Sequence, residues 1–102
     1  MTNQELAEIL KVISHPVRIE IIEELHKGVK CVSDFTEILD MEQPNISHHL
    51  GVMRRCRIIN FFSDGKLRCY YLKNEKVYGL IKLLRSYNEK KDAVVMTKEE
   101  CC

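Results

Sequence analysis

The sequence predicts a mainly α-helical domain that carries one small β-hairpin. In most of the chain, apolar residues recur every three or four positions, as they do in helices that bury one face. The pattern changes between residues 58 and 72, where two runs rich in β-branched and aromatic residues flank Asp64-Gly65. Asp-Gly between two such runs is typical of a hairpin turn.

Length and composition limit the class of protein. A chain of 102 residues builds one domain with a small core, which favours a homodimer that buries more surface. No apolar run approaches the roughly 18 to 20 residues of a membrane span, and the N-terminus lacks the features of a signal peptide. We therefore expect a cytoplasmic protein without a membrane partner. The net charge of +1 does not by itself indicate nucleic-acid binding.

The first two predicted helices are separated by a proline. The first covers residues 3–14, and Pro16 ends it because the residue before a proline is disfavoured in the helical conformation. The second starts at Pro16 and ends before Gly28. Arg18, one turn into this helix, is expected to be a solvated charge or a phosphate contact. The inward stripes of the two helices are Leu6, Ile9, Leu10 and Ile13, and then Val17, Ile21, Ile22 and Leu25.

Two further helices predict a helix-turn-helix. Ser33 is a suitable N-cap for a short helix over residues 34–39, and a turn at 40–42 leads into a helix over 43–56. A hairpin directly after the second of these helices is a wing, so the fold class is a winged helix-turn-helix. An ordinary amphipathic surface helix is the alternative for residues 43–56. The expected DNA contacts are Gln43, Asn45, Ser47, His48 and His49 for base edges, Arg54 and Arg55 for phosphates, and the wing residues Lys66 and Arg68.

A last helix is expected from residue 74 to about residue 91. Its apolar side is formed by Val77, Leu80, Ile81, Leu84 and Tyr87. Because it has no obvious place in the helix-turn-helix core, we expect it to form a homodimer interface together with the first helix; alternatively it covers only its own domain. The predicted DNA-binding and dimerisation domain spans residues 1–92, and residues 93–102 form a flexible tail bearing Cys101 and Cys102.

Taken together, these segments resemble the ArsR/SmtB family of dimeric winged-helix metalloregulatory repressors. The similarity covers roughly residues 6–87. It is most specific at residues 14–19 (SHPVRI), at the recognition-helix segment 43–50 (QPNISHHL) and at the wing, 64–72 (DGKLRCYYL). The resemblance implies a repressor that binds double-stranded operator DNA and releases it when an inducer, usually a metal or metalloid ion, binds.

The resemblance also indicates where an inducer binds. Zinc- and nickel-sensing relatives use Asp, His and Glu on the last helix, but residues 74–91 contain neither His nor Asp. Another family site begins the third helix with Cys-Val-Cys-Asp, whereas this chain has Cys31-Val32-Ser33-Asp34. One thiolate cannot hold a soft ion, so we expect Cys101 and Cys102 to join Cys31 in a three-thiolate site for As(III) or Sb(III).

Other hypotheses use the same thiols differently. Cys56 matches one of two recognition-helix cysteines in the cadmium- and lead-sensing branch, so Cys56 with Cys101 and Cys102 is the alternative site, for Cd(II) or Pb(II). In a further alternative, the terminal pair Cys101 and Cys102 is incidental or merely oxidisable. Cys69 is expected to be a small buried hydrophobe. A thiol redox-sensing repressor of the same fold is a further alternative. An enzyme is not expected, because the chain has neither a CxxC motif nor a cysteine placed beside a base.

Overall fold

Five helices and one antiparallel hairpin make up the computed structural model, which describes residues 1–87. The predicted domain boundary at residue 92 and the tail with Cys101 and Cys102 lie outside the described residues. Within residues 1–87, no helix has the length and apolar character needed to cross a membrane. The elements in chain order are α1 (Asn3–Ile13), α2 (Pro16–Lys27), α3 (Val32–Leu39), α4 (Gln43–Arg55), β1 (Ile59–Asp64), β2 (Leu67–Leu72) and α5 (Glu75–Arg85).

The core lies where α2, α4 and the hairpin meet, and α3 covers one side of α4. The predicted inward stripe of α4 is confirmed, since Ile46, Leu50 and Met53 are fully buried. Burying a side chain of this size stabilises the fold by about 1.5–3 kcal/mol. The stripe of α1 differs from the prediction, because Ile13 is buried but Leu6 and Leu10 are 48% and 42% exposed.

The third helix begins earlier than predicted, at Val32, and its N-cap is Cys31. The predicted cap, Ser33, therefore lies inside the first turn. Asp34 favours a helix start at Val32, because its carboxylate accepts a hydrogen bond of 2.8 Å from the backbone N–H of Cys31. The helix ends at Leu39, and its C-cap Asp40, in a left-handed conformation (φ 50°), starts the predicted turn into α4.

The hairpin pairs Ile59 with Leu72 at one end and Asp64 with Leu67 at the other. Its loop is thus only Gly65 and Lys66, shorter than the four residues predicted. Gly65 has φ 62° and Lys66 does not have a positive φ, as expected for a type II′ turn with glycine in the first loop position. This tight turn places Lys66 at the tip of the wing.

The last helix packs against α2 of its own domain, where Val77 and Ile81 are buried. The prediction that it has no place in the core is therefore wrong for this face. Arg85 reinforces the contact by an ion pair with Glu23 of α2. The other face of α5 keeps Leu83 and Leu84 exposed, at 68% and 66%.

Candidate DNA-binding surface and the adjoining thiol cleft

The polar face of α4 is exposed, as predicted, at all but one of the expected contact positions. Pro44 lies in the first turn, where the absence of its N–H leaves no helical hydrogen bond unmade. The wing residues Lys66 and Arg68 are exposed as well. The exposed α4 side chains are Gln43, Asn45, Ser47, His48, Arg54 and Arg55.

The exception is His49, whose predicted place on the exposed face is wrong. Its side chain is buried, with 8% of its surface exposed, in the same stripe as Ile46 and Met53. Positions 46, 49, 50 and 53 follow the three- and four-residue spacing of a buried helix face. That spacing was the signal in the sequence that could have placed His49 inside.

A polar network surrounds His49 and connects three helices. Arg18 of α2 donates from Nε to Nδ1 of His49 (3.1 Å) and from a terminal nitrogen to the carbonyl of Val12 in α1 (3.2 Å). Arg18 is thus half-buried rather than a solvated charge. The ring of His15 contacts that of His49 edge-on, with 4.7 Å between centroids. His15 also caps α2, because its Nδ1 accepts from the N–H of Val17 (3.2 Å).

The network keeps His49 neutral. Burial lowers the pKa of His49 below its ordinary value of 6.5, and the charges of His15, Arg18 and His48 lower it further. A neutral imidazole with Nδ1 accepting from Arg18 carries its proton on Nε2. This fixed tautomer lets the histidine hold α4 in position against α2.

The wing is joined to α4 through an aromatic ring. The guanidinium carbons of Arg54, at the end of α4, and of Arg68, in β2, each lie 4.6 Å from the ring centroid of Phe61. Such cation–π contacts orient arginines while leaving their N–H groups available. Phe61 therefore contacts one predicted DNA-binding arginine from α4 and one from the wing.

A cleft of about 500 Å³ opens between α3, α4 and the wing. Gln43 and Ser47 of α4 line it, together with Lys66 and Arg68 of the wing. Cys31, at the start of α3, lines the same cleft. Four predicted DNA contacts and one predicted inducer ligand thus share one concave surface.

The thiol of Cys31 is held in a hydrogen-bonded cluster. Its Sγ lies 3.2 Å from an Asp34 carboxylate oxygen and 3.0 Å from Oγ of Ser33. The hydrogen bonds from the Cys31 backbone N–H and thiol hold the pKa of the Asp34 carboxyl below its usual 3.8. Position 33, where the related motif has a second cysteine, is therefore within reach of the first thiol.

The other described cysteines, Cys56 and Cys69, do not line this cleft. Cys56 caps the end of α4 and lines a cleft of about 390 Å³ with Glu5 and Glu8 of α1. Cys69, in β2, was predicted to be a small buried hydrophobe and is half-buried. Across residues 1–87, no three His, Cys, Asp or Glu side chains are grouped closely enough to bind a metal ion. Cys101 and Cys102 fall outside this range.

Known proteins with similar sequences are transcriptional regulators. Residues 15–61 match the family described as "Bacterial regulatory protein, arsR family". The cadmium resistance transcriptional regulatory protein CadC of Listeria innocua is 32% identical over 80 residues, covering 78% of this chain and 67% of CadC. The arsenical resistance operon repressor of Staphylococcus xylosus is 35% identical over 75 residues, covering 74% and 72% of the two chains.

A solved structure shows the same arrangement of elements. The transcriptional repressor PagR of Bacillus anthracis is 37% identical over 85 residues, covering 82% of this chain and 85% of PagR. Its crystal structure superimposes with a TM-score of 0.71, covering 79% of this chain and 93% of the PagR chain at 36% identity.

The helix-turn-helix, the wing and these similarities define a winged-helix DNA-binding protein. The chain belongs to the ArsR family and is a transcriptional repressor rather than an enzyme.

Proposed function

We propose that this repressor binds double-stranded operator DNA through the exposed face of α4 and the wing. The observation that carries the proposal is the shared cleft, in which Gln43 and Ser47 face the wing residues Lys66 and Arg68. Ser47 and His48 contact base edges in the major groove, and Arg54 and Arg55 hold phosphates. His49 has a positioning role, since it is buried against Arg18 and His15.

The repressor acts as a homodimer through α1 and α5. Among the described residues, both helices expose apolar side chains that a solvated monomer would not need. These exposed side chains support a dimer interface on α1 and α5. Two copies related by a two-fold axis would present two α4 helices to half-sites about 34–36 Å apart. The exposed apolar residues are Leu6 and Leu10 on α1 and Leu83 and Leu84 on α5.

The inducer is a thiophilic metalloid ion, As(III) or Sb(III), bound by thiolates of Cys31, Cys101 and Cys102. Two features support this site: the half-buried Cys31 thiol lies in the cleft beside the DNA-binding face, and a relative is an arsenical resistance operon repressor. Coordination ties the C-terminal segment to the start of α3 and biases the dimer away from the DNA-binding geometry. A coupling of about 5- to 150-fold in operator affinity is typical of such linkage.

A second candidate inducer is Cd(II) or Pb(II), bound by Cys56 with Cys101 and Cys102. The carboxylates of Glu5 and Glu8 in the Cys56 cleft favour a divalent cation. The similarity to a cadmium resistance regulator points the same way.

Fluorescence anisotropy of the reduced protein on its own upstream DNA, without oxygen, tests the inducer. Arsenite, antimonite, cadmium and lead are added in turn to the wild type, to Cys31→Ser and to the double variant Cys101→Ser, Cys102→Ser. We expect arsenite to release the wild type and neither variant. Equal operator affinity with and without arsenite in every protein would overturn the metalloid proposal. Release by cadmium or lead alone, lost in Cys56→Ser, would place the inducer at Cys56 instead.

A further inference from the structure

The segment before α3 is paired with the second strand of the wing. Lys30 and Tyr70 form an antiparallel bridge in which each N–H donates to the carbonyl of the other, at 3.1 and 2.8 Å. This bridge is isolated, since α3 begins at Val32, and positions 31 and 69 are the next opposed positions on the two segments. Both of those positions are cysteines.

The backbone at these positions allows the two thiols to meet. Cys31 is extended (φ −97°, ψ 170°), and Cys69 lies within β2. Directly opposed residues without mutual hydrogen bonds in an antiparallel pair have Cα atoms about 4.5 Å apart and side chains on the same face. Disulfides span Cα separations of roughly 4.4–6.8 Å, so cysteines opposed in this way can be bridged once the Cys31 thiol turns from Asp34 and Ser33.

The electrostatic surroundings agree with this proximity. Burial raises the pKa of the Cys69 thiol, and the charges of Asp64, Cys31 and Asp34 add to the effect. Both thiols are half-buried, and neither is in a disulfide. Cys56 lines a different cleft, beside α1.

We propose that Cys31 and Cys69 are a redox-active dithiol that closes into a disulfide between the start of α3 and the wing. The oxidant is a low-molecular-weight disulfide such as oxidised glutathione. A thiolate of one cysteine attacks the oxidant, forming a mixed disulfide and expelling one glutathione thiolate. The second cysteine displaces the other glutathione, and the two protein thiol protons pass to the two leaving thiolates.

Closure of this bond has a regulatory consequence that rests on the proposed function. A sulfur in a disulfide is no longer a thiolate, so oxidised Cys31 cannot coordinate a metalloid ion. The oxidised repressor therefore stays on its operator when arsenite is present. The same cysteine would couple the inducer response to the thiol redox state of the cell.

The bond itself is tested in the full chain with Cys56, Cys101 and Cys102 replaced by serine, so that only the two cysteines remain. After treatment with oxidised glutathione, we expect an intact mass lower by two hydrogen atoms and a tryptic peptide pair joined through Cys31 and Cys69. The matched control adds Cys69→Ser and should stop at a mixed disulfide on Cys31. Accumulation of mixed disulfides or of intermolecular dimers in the two-cysteine protein would overturn the proposal.

The consequence is tested with the wild type and Cys69→Ala, each bound to operator DNA before and after equilibration with reduced glutathione in excess over oxidised glutathione, so that a lone Cys31 stays a thiol while a Cys31–Cys69 pair closes. We expect oxidation to weaken the arsenite response of the wild type about 5-fold or more beyond any change in Cys69→Ala. An identical response of the two equilibrated proteins would remove the regulatory consequence. If arsenite fails to release even the reduced proteins, the metalloid proposal falls, while the mass measurement still decides whether the disulfide forms.

Discussion

Arg18 donates a hydrogen bond from Nε to Nδ1 of His49 across 3.1 Å, connecting α2 to the buried side of the recognition helix. Because Arg18 also bonds the carbonyl of Val12, it connects the end of α1 and the start of α2 to the middle of α4. The orientation of α4, and with it the exposed DNA-binding face, depends on a residue pair that faces inward.

Replacing His49 with alanine should destabilise the fold by about 1–3 kcal/mol, because it leaves a partly buried Arg18 donor without its partner. Operator affinity should fall with stability, since α4 loses its hydrogen bond to Arg18 of α2. The measurement is urea denaturation. His48→Ala is the matched control, because His48 is exposed and its loss should change stability by no more than about 0.5 kcal/mol. Equal unfolding midpoints for the two variants would contradict the positioning role.

Stability should fall as the pH drops below about 6.5, and His49 should account for part of the fall. Its pKa is lowered in the folded state, so the unfolded chain binds a proton more readily in this window. The contribution of His49 to the free energy of unfolding therefore grows as the pH rises. It is fully present above the ordinary pKa of 6.5. Denaturation midpoints of the wild type and His49→Gln across this range measure the effect. The variant should show a flatter dependence, and parallel curves would contradict this assignment.

Arg55→Ala should weaken DNA binding to all sequences alike and reduce the slope of log affinity against log salt by about 1. Ser47→Ala should instead change the preferred base while keeping the slope, because serine reads a base edge and neutralises no phosphate. Lys76→Ala, on the exposed surface of α5, is the control for loss of a positive charge away from the face. An unchanged salt slope in Arg55→Ala would argue against a phosphate contact.

Leu84→Glu should convert the proposed homodimer to a monomer, because it places a charge on the exposed apolar face of α5. Sedimentation velocity measures the change directly. Val29→Glu is the matched control, since Val29 is 53% exposed but lies in the connection between α2 and α3. If both variants sediment like the wild type, the interface lies elsewhere.

Most of the fold could be predicted because local signals agree with the final packing. Pro16 and Pro44 fall in the first turns of their helices, and Asp64-Gly65 starts the turn of the hairpin. The N-terminus of α3 was less predictable, because Asp34 follows both candidate caps. It comes directly after Ser33 and three positions after Cys31. The choice between them depends on which backbone N–H the Asp34 carboxylate reaches.

Fewer features of the site could be predicted, because they depend on contacts between residues that are distant in the sequence. His49 follows His48 among polar residues, so only its spacing from Ile46 and Met53 indicates a buried position, and its partners His15 and Arg18 come from outside α4. The opposition of Cys31 and Cys69 depends on a single bridge between residues 40 positions apart, Lys30 and Tyr70. Nothing in the local sequence of either cysteine indicates that pairing.

We propose that α4 and the wing recognise a specific operator, and a competition titration measures this recognition. Reduced wild-type protein is titrated onto a labelled duplex from its own upstream region, with the same duplex in scrambled order as competitor, at one fixed salt concentration. We predict at least about 10³-fold tighter binding to the upstream duplex, reduced by Ser47→Ala or His48→Ala towards the value for the scrambled duplex. Equal affinity of the wild type for both duplexes would contradict the claim.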